Sequence, residues 1–193
     1  MKKSIVVFGF AGVLALLAAA FAQKQKPVHE IHSLFLDDQK DRENLSTEEQ
    51  WQKVKSRDKE RRERARKLMD AGELSSGQDF HDAAFIFQHS EVPEDNLFAH
   101  ILASVGVSKG DPESRWISAA TLDRYLQSIN QPQVFGTQFK KAGSDPFTQQ
   151  PYNQTLLSDS LRKELCVSAL ADQQGILDTV NHGGKFKSTN VCH

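Results

Sequence analysis

The sequence predicts a mainly α fold, a small helical domain with an antiparallel helical hairpin and an irregular Gln-rich segment. Three observations carry that prediction. Apolar residues recur at helical spacing in several separate stretches, and cap, Pro or Gly residues open or close each one. Between Asn130 and Phe139, Pro132 and a Gln-rich composition interrupt the pattern.

In chain order, Lys2 and Lys3 precede an uncharged apolar run from Ile5 to Ala22 that ends in Ala20-Phe21-Ala22. This is the layout of a secretory signal peptide over residues 1–22, with a mature start at Gln23. An uncleaved membrane anchor is the alternative, because the run is near the length that spans a bilayer, and only then does the protein meet a membrane. Residues 23–29 read as a polar leader, 30–182 as the helical domain and 183–193 as a C-terminal tail. His29 to Leu36 carry enough apolar residues to dock.

Ser46 followed by Glu49 is a capping-box pattern that opens a helix running to about Ala71, where Gly72 stops it. Trp51, Val54, Ala65 and Leu68 form one stripe. The i,i+4 pairs Glu49/Lys53, Asp58/Arg62, Glu60/Arg64 and Glu63/Lys67 predict a water-washed middle pinned at its two ends. After Ser75-Ser76-Gly77 a second helix is expected from Gln78 to His89, burying Phe80, Ala83, Ala84 and Phe87. Pro93 opens a third, with Leu97, Phe98, Ile101, Leu102 and Val105 at helical spacing before Gly106.

Asp111-Pro112-Glu113 opens the fourth helix, which reaches Ile129 on a core face of Ala119, Leu122, Leu126 and Ile129. The short Gly-containing turn before it makes the third and fourth helices an antiparallel hairpin. Residues 130–139 should be ordered and nonhelical, and 140–153 a long loop. Two short helices follow, near Ser158 to Leu165 and Ala169 to Val180. No period of about 20–50 residues recurs three times, which argues against a repeat array.

The 193-residue chain carries 24 Lys and Arg against 25 Asp and Glu. Loss of Lys2 and Lys3 makes it slightly more acidic, so nothing attracts nucleic acid or an anionic membrane over long range. Arg61, Arg62, Arg64 and Arg66 are interleaved with Asp58, Glu60 and Glu63, the pattern of a solvated face. Cys166 and Cys192 lie late in the chain; in an oxidising compartment they are expected to be bridged, with two reduced thiols as the alternative.

The candidate site residues are polar. On the second helix His81, Phe85 and Gln88 share a face, and Asp82 and His89 share the next. Two imidazoles titrating near neutrality suit ligand binding or acid–base work, although partly buried structural histidines make the same pattern. Asp123-Arg124 on the fourth helix, and Gln133, Thr137 and Gln138 in the irregular stretch, supply further donors and acceptors. These serve either recognition or the loop's own backbone. His29-Glu30-Ile31-His32 is one residue short of the zinc-protease spacing, no Cys/His set has closed-site spacing, and no cofactor fingerprint is present, so no metal is assigned.

Asp38-Gln39-Lys40-Asp41-Arg42, Gln88-His89, Asp123-Arg124 and Gln133-Val134-Phe135-Gly136-Thr137-Gln138 follow one another in that order. In this the chain resembles a bacterial exported domain family of unknown function, marked by acidic-Gln-x-x-Arg, Gln-His, Asp-Arg and Gln-x-Tyr-Gly-Thr-Gln motifs, over roughly residues 30–180. Phe135 stands where the family usually has Tyr, which removes one hydroxyl. The resemblance implies a helical domain in which these polar motifs converge; it brings no activity and no cofactor.

Three functional readings follow. The first is a noncatalytic exported domain that binds a small polar ligand, a peptide or a partner protein through His81, Gln88, His89, Asp123, Arg124, Gln133 and Gln138. The second is a hydrolase-type enzyme, metal-assisted or not, in which His81 and His89 act as bases or ligands and Asp123 orients one of them. The third is a helical-hairpin scaffold, which requires an exposed apolar groove on the two hairpin helices.

Overall fold

The computed structural model describes residues 29–43 and 45–192. The expected signal peptide, the expected leader up to residue 28, residue 44 and the terminal residue lie outside the described residues. Among the described residues there are seven helices, α1 (Glu30–Asp41), α2 (Glu48–Asp70), α3 (Gly77–Phe87), α4 (Pro93–Ser108), α5 (Ser114–Ser128), α6 (Asp159–Glu164) and α7 (Leu170–Asn181). No strand is present among them, only three isolated bridges. None of these helices is long and apolar enough to cross a membrane.

α3 is the central element, in contact with α1, α2, α4 and α5. Ser76 caps it, its hydroxyl accepting from the Asp79 N–H while the Asp79 carboxylate accepts from the Ser76 N–H. It buries Ala83, Ala84, Ile86 and Phe87 but also Asp79, His81 and Asp82, as a helix covered on most sides must. It stops at Phe87, so Gln88 is its C-cap and His89 lies beyond it.

α4 and α5 form the expected antiparallel hairpin: Gly106 lies against Ser114, and the His100 ring lies 2.9 Å from the Ser118 carbonyl oxygen. Pro93 occupies the first turn of α4 as predicted. Gly106 does not end that helix. A side chain there would collide with Ser114 and approach the Gly77 carbonyl, so this glycine permits close helix packing, and Gly110, at φ +83°, makes the turn.

α5 begins three residues later than its cap signal. Asp111 still acts as a cap, its carboxylate accepting from both the N–H and the hydroxyl of Ser114 at 2.8 and 2.6 Å. Its buried face is Ile117, Ala119, Ala120, Thr121 and Asp123, whereas Ile129, expected in the core, is exposed.

α1 extends the docking segment into a helix that reaches the first motif, and it runs parallel to α3 and antiparallel to α2. The cap of α2 is Thr47 with Gln50, one residue beyond the expected pair, because the Gln50 amide oxygen accepts from the N–H groups of both Ser46 and Thr47. The α2 stripe is Val54, Asp58, Arg61, Ala65 and Leu68, all buried, with Trp51 outside it. The predicted water-washed middle is therefore corrected: its two central stripe positions hold a buried ion pair, Arg61 Nη1 donating to Asp58 at 3.0 Å. Glu49/Lys53 forms as expected. Arg62 instead faces Asp95, and Arg64 pairs with Glu30 on α1.

A second, smaller core of Ala119, Phe135 and Val167 joins α5 to the C-terminal part. The tail is tied down by the Cys166–Cys192 disulfide and the Val167–Asn190 bridge.

Candidate functional site

The sequence-predicted polar residues separate into three groups. The first surrounds Asp123, which is fully buried. Its carboxylate accepts from the backbone N–H of Val134 (2.7 Å), Phe135 (3.0 Å) and Thr137 (2.9 Å) and from the Thr137 hydroxyl (2.8 Å). Burial pushes this carboxyl above its ordinary range, against the pull of those four donors.

Gln133 closes the loop from the other side, its amide oxygen accepting from the Gln138 N–H and its amide nitrogen donating to the carbonyls of Gln138 and Gln149. Gln138 donates to the Ala120 carbonyl at 3.1 Å. Asp123, Gln133, Thr137 and Gln138 thus staple residues 133–138 to α5.

Three residues that sequence reasoning missed complete this knot. Arg162, 0% exposed, donates to the Phe135 carbonyl at 2.7 Å. Gln173 donates to the same oxygen at 2.8 Å, and Tyr152 to it at 3.1 Å. Burial drives the Tyr152 phenol up to about 12, so it is a fixed donor at neutral pH. Gly136, at φ +80°, leaves room for Tyr152 and Gln173, which any side chain there would strike.

The second group sits between the first halves of α1 and α3. Nδ1 of His81 lies 2.9 Å from one oxygen of the buried Asp82, and Nδ1 of His32 lies 2.7 Å from the other. Gln78 donates to Asp82 at 2.8 Å. One turn earlier His29 pairs with Asp79 at 2.8 Å, so the spacing 29/32 on α1 matches 79/82 on α3. The His81 ring packs against Phe35 and Phe85. His81 and His89 do not meet, since eight residues of helical rise separate them by about 12 Å. Asp82, not Asp123, orients His81.

The third group lies where α1, α3 and α5 end and brings together the first three motifs. Asp38, 0% exposed, receives Arg42 at 2.8 Å and Gln39 at 2.7 Å, and Nε2 of His89 lies 3.4 Å from its Oδ2. Arg42 also donates to Asp58 at 2.7 Å. Arg61 bridges Asp58 and Asp41, and Arg57 donates to Asp41 at 2.5 Å. Three carboxylates and three guanidinium groups alternate in this chain of contacts, so each charge is matched.

Arg124 makes no such pair among the described residues. Its Nε is buried without a hydrogen-bond partner among the described residues, as are Nε2 of His89 and Nε2 of Gln127 one turn further along α5. Adjacent to Asp123 in sequence, Arg124 points about 100° away from it around the helix. Its charge is felt by His89, and that of Arg42 is felt by Arg124. Burial, then Arg42, lowers the Arg124 pKa; burial also lowers that of His89, with Arg42 and Arg124 adding to the effect against Asp38. Gln88 is buried beside this group as the C-cap of α3.

No family model matches the chain, and no curated protein or solved structure is similar to it. Among the described residues no group of three or more His, Cys, Asp or Glu is arranged to hold a metal ion. Ile101 and Val107 on α4 are exposed singly.

Proposed function

We propose that this chain is an exported, noncatalytic binding domain, and that its ligand is a small molecule bearing an anionic group held by Arg124, Arg42 and His89. The observation that carries this reading is the unmatched charge of Arg124. Every neighbouring carboxylate is already engaged by another arginine, and a half-buried guanidinium whose Nε has no partner among the described residues destabilises the fold. An anionic ligand supplies the missing partner, and the unpartnered His89 and Gln127 nitrogens add donors. The resemblance to the uncharacterised bacterial family supports the reading, because three of its motifs supply this group. Export is supported by the signal-like N-terminus and by the disulfide.

The test is thermal unfolding against a panel of inorganic phosphate, sulfate, citrate and acetate. At least one should raise the melting temperature of the native chain in a saturable way and leave Arg124→Met unmoved. If none does so, while Arg124→Met alone stabilises the protein, the buried charge is structural and the reading fails.

A further inference from the structure

Away from the Arg124 group, a cleft of about 450 Å³ lies between α7 and the disulfide-tethered tail. Its volume is in the range that accommodates a small organic ligand. One wall is a face of α7, the other the tail segment carrying Lys185, Lys187 and Val191.

Three features of this cleft have no role in holding the fold. Ser168 is 4% exposed and lines the cleft, yet its hydroxyl has no hydrogen-bond partner among the described residues; the backbone alone satisfies the local pairing, through Ser168 N–H to the Thr189 carbonyl. An unused buried hydroxyl is costly unless something reaches it. Gly175 lies in the middle of α7, where glycine costs about 1 kcal/mol relative to alanine. No packing demands it, since an added side chain there meets nothing within 4 Å. Among the described residues the two tail lysines form no ion pair and Asp172 is the one carboxylate lining the cleft, so the positive charge of this lining is in excess.

The apolar surface is contributed by Ile176 and by Val191, which is 51% exposed. We infer that this cleft binds an amphipathic carboxylate, its head group taken by Lys185, Lys187 and the Ser168 hydroxyl and its apolar body laid over Gly175 between Ile176 and Val191. The Cys166–Cys192 bridge holds the lysine-bearing wall in place, so the site exists only in the oxidised protein.

The probe is decanoate, titrated calorimetrically into the oxidised full-length mature chain, with decanol as the uncharged control. One site is expected. Gly175→Leu, which fills the cleft, should abolish it. The pair K185Q and K187Q should weaken it at least about tenfold, and Cys192→Ser should weaken it comparably. Arg124→Met should leave it unchanged, because Arg124 does not line this cleft. The inference is overturned if decanoate does not bind, if decanol binds equally well, if Gly175→Leu binds as the native chain does, or if Arg124→Met removes the binding. Gly175, Lys185, Lys187 and Cys192 are solvent-facing, and circular dichroism of every variant, including that of the partly buried Arg124, reports whether the fold is retained.

Discussion

Nε2 of His89 stands 3.4 Å from Oδ2 of Asp38, near enough for charge to matter, with the Asp38 oxygens engaged by Arg42 and Gln39. The histidine just beyond the end of α3 thereby faces a carboxylate of α1. Burial nevertheless dominates and holds the imidazole below its ordinary value of 6.5.

That depression has a definite sign. The unfolded chain takes up the proton first as pH falls, so this residue's contribution to stability is full above about 6.5 and declines as the solution is acidified through the lower folded value. We expect the melting temperature to drop between about pH 7.5 and pH 5. His89→Gln, which cannot titrate, should show a shallower drop over the same interval. Equal slopes for the two proteins would mean that His89 is not the group responsible.

Asp123 should be the most sensitive position in the loop. Asp123→Ala removes the acceptor for three backbone N–H groups and one hydroxyl, and a loss of about 3–5 kcal/mol is expected in chemical denaturation. Asp123→Asn retains one acceptor oxygen and should fall between the two. Near-native stability of the alanine variant would show that the loop is held by Gln133, Arg162 and Gln173 without it.

Two helical glycines should respond with opposite signs. Gly106→Ala drives a methyl group into Ser114 and toward the Gly77 carbonyl, and about 2 kcal/mol of destabilisation is expected. Gly175→Ala meets open space and should stabilise α7 by about 0.5–1 kcal/mol. Denaturant midpoints of the two variants, compared at equal slope, give the answer directly.

Opening the disulfide should cost about 3–4 kcal/mol on the chain-entropy model, given the 26-residue separation of its cysteines. Cys166→Ser and Cys192→Ser should lose the same amount, because either one frees the same loop.

Much of the fold was legible locally. Cap residues and Pro93 mark helix ends through interactions that close within four residues, so α2 through α5 and the two short helices lie near their expected places. Asp58 and Arg61 were misread: they continue the spacing of Val54, Ala65 and Leu68, but their charge invited a solvent reading. Arg162 was not legible, since an arginine on a six-residue helix carries no local sign that it will be enclosed by carbonyl groups.

The site divided along the same line. Which residues are polar and which helix faces they occupy follows from the order of the chain. That His81 belongs with His32 and Asp82, that Asp123 turns inward to the 133–138 loop while Arg124 turns outward to His89, and that Arg124 finds no carboxylate among the described residues depend on contacts between residues far apart in sequence. The sequence by itself determined the helical class, the hairpin and the punctuation, because these rest on short-range backbone geometry. Only the tertiary structure decided which charges are matched and which is left over, because pairing in a buried network depends on how the helices dock.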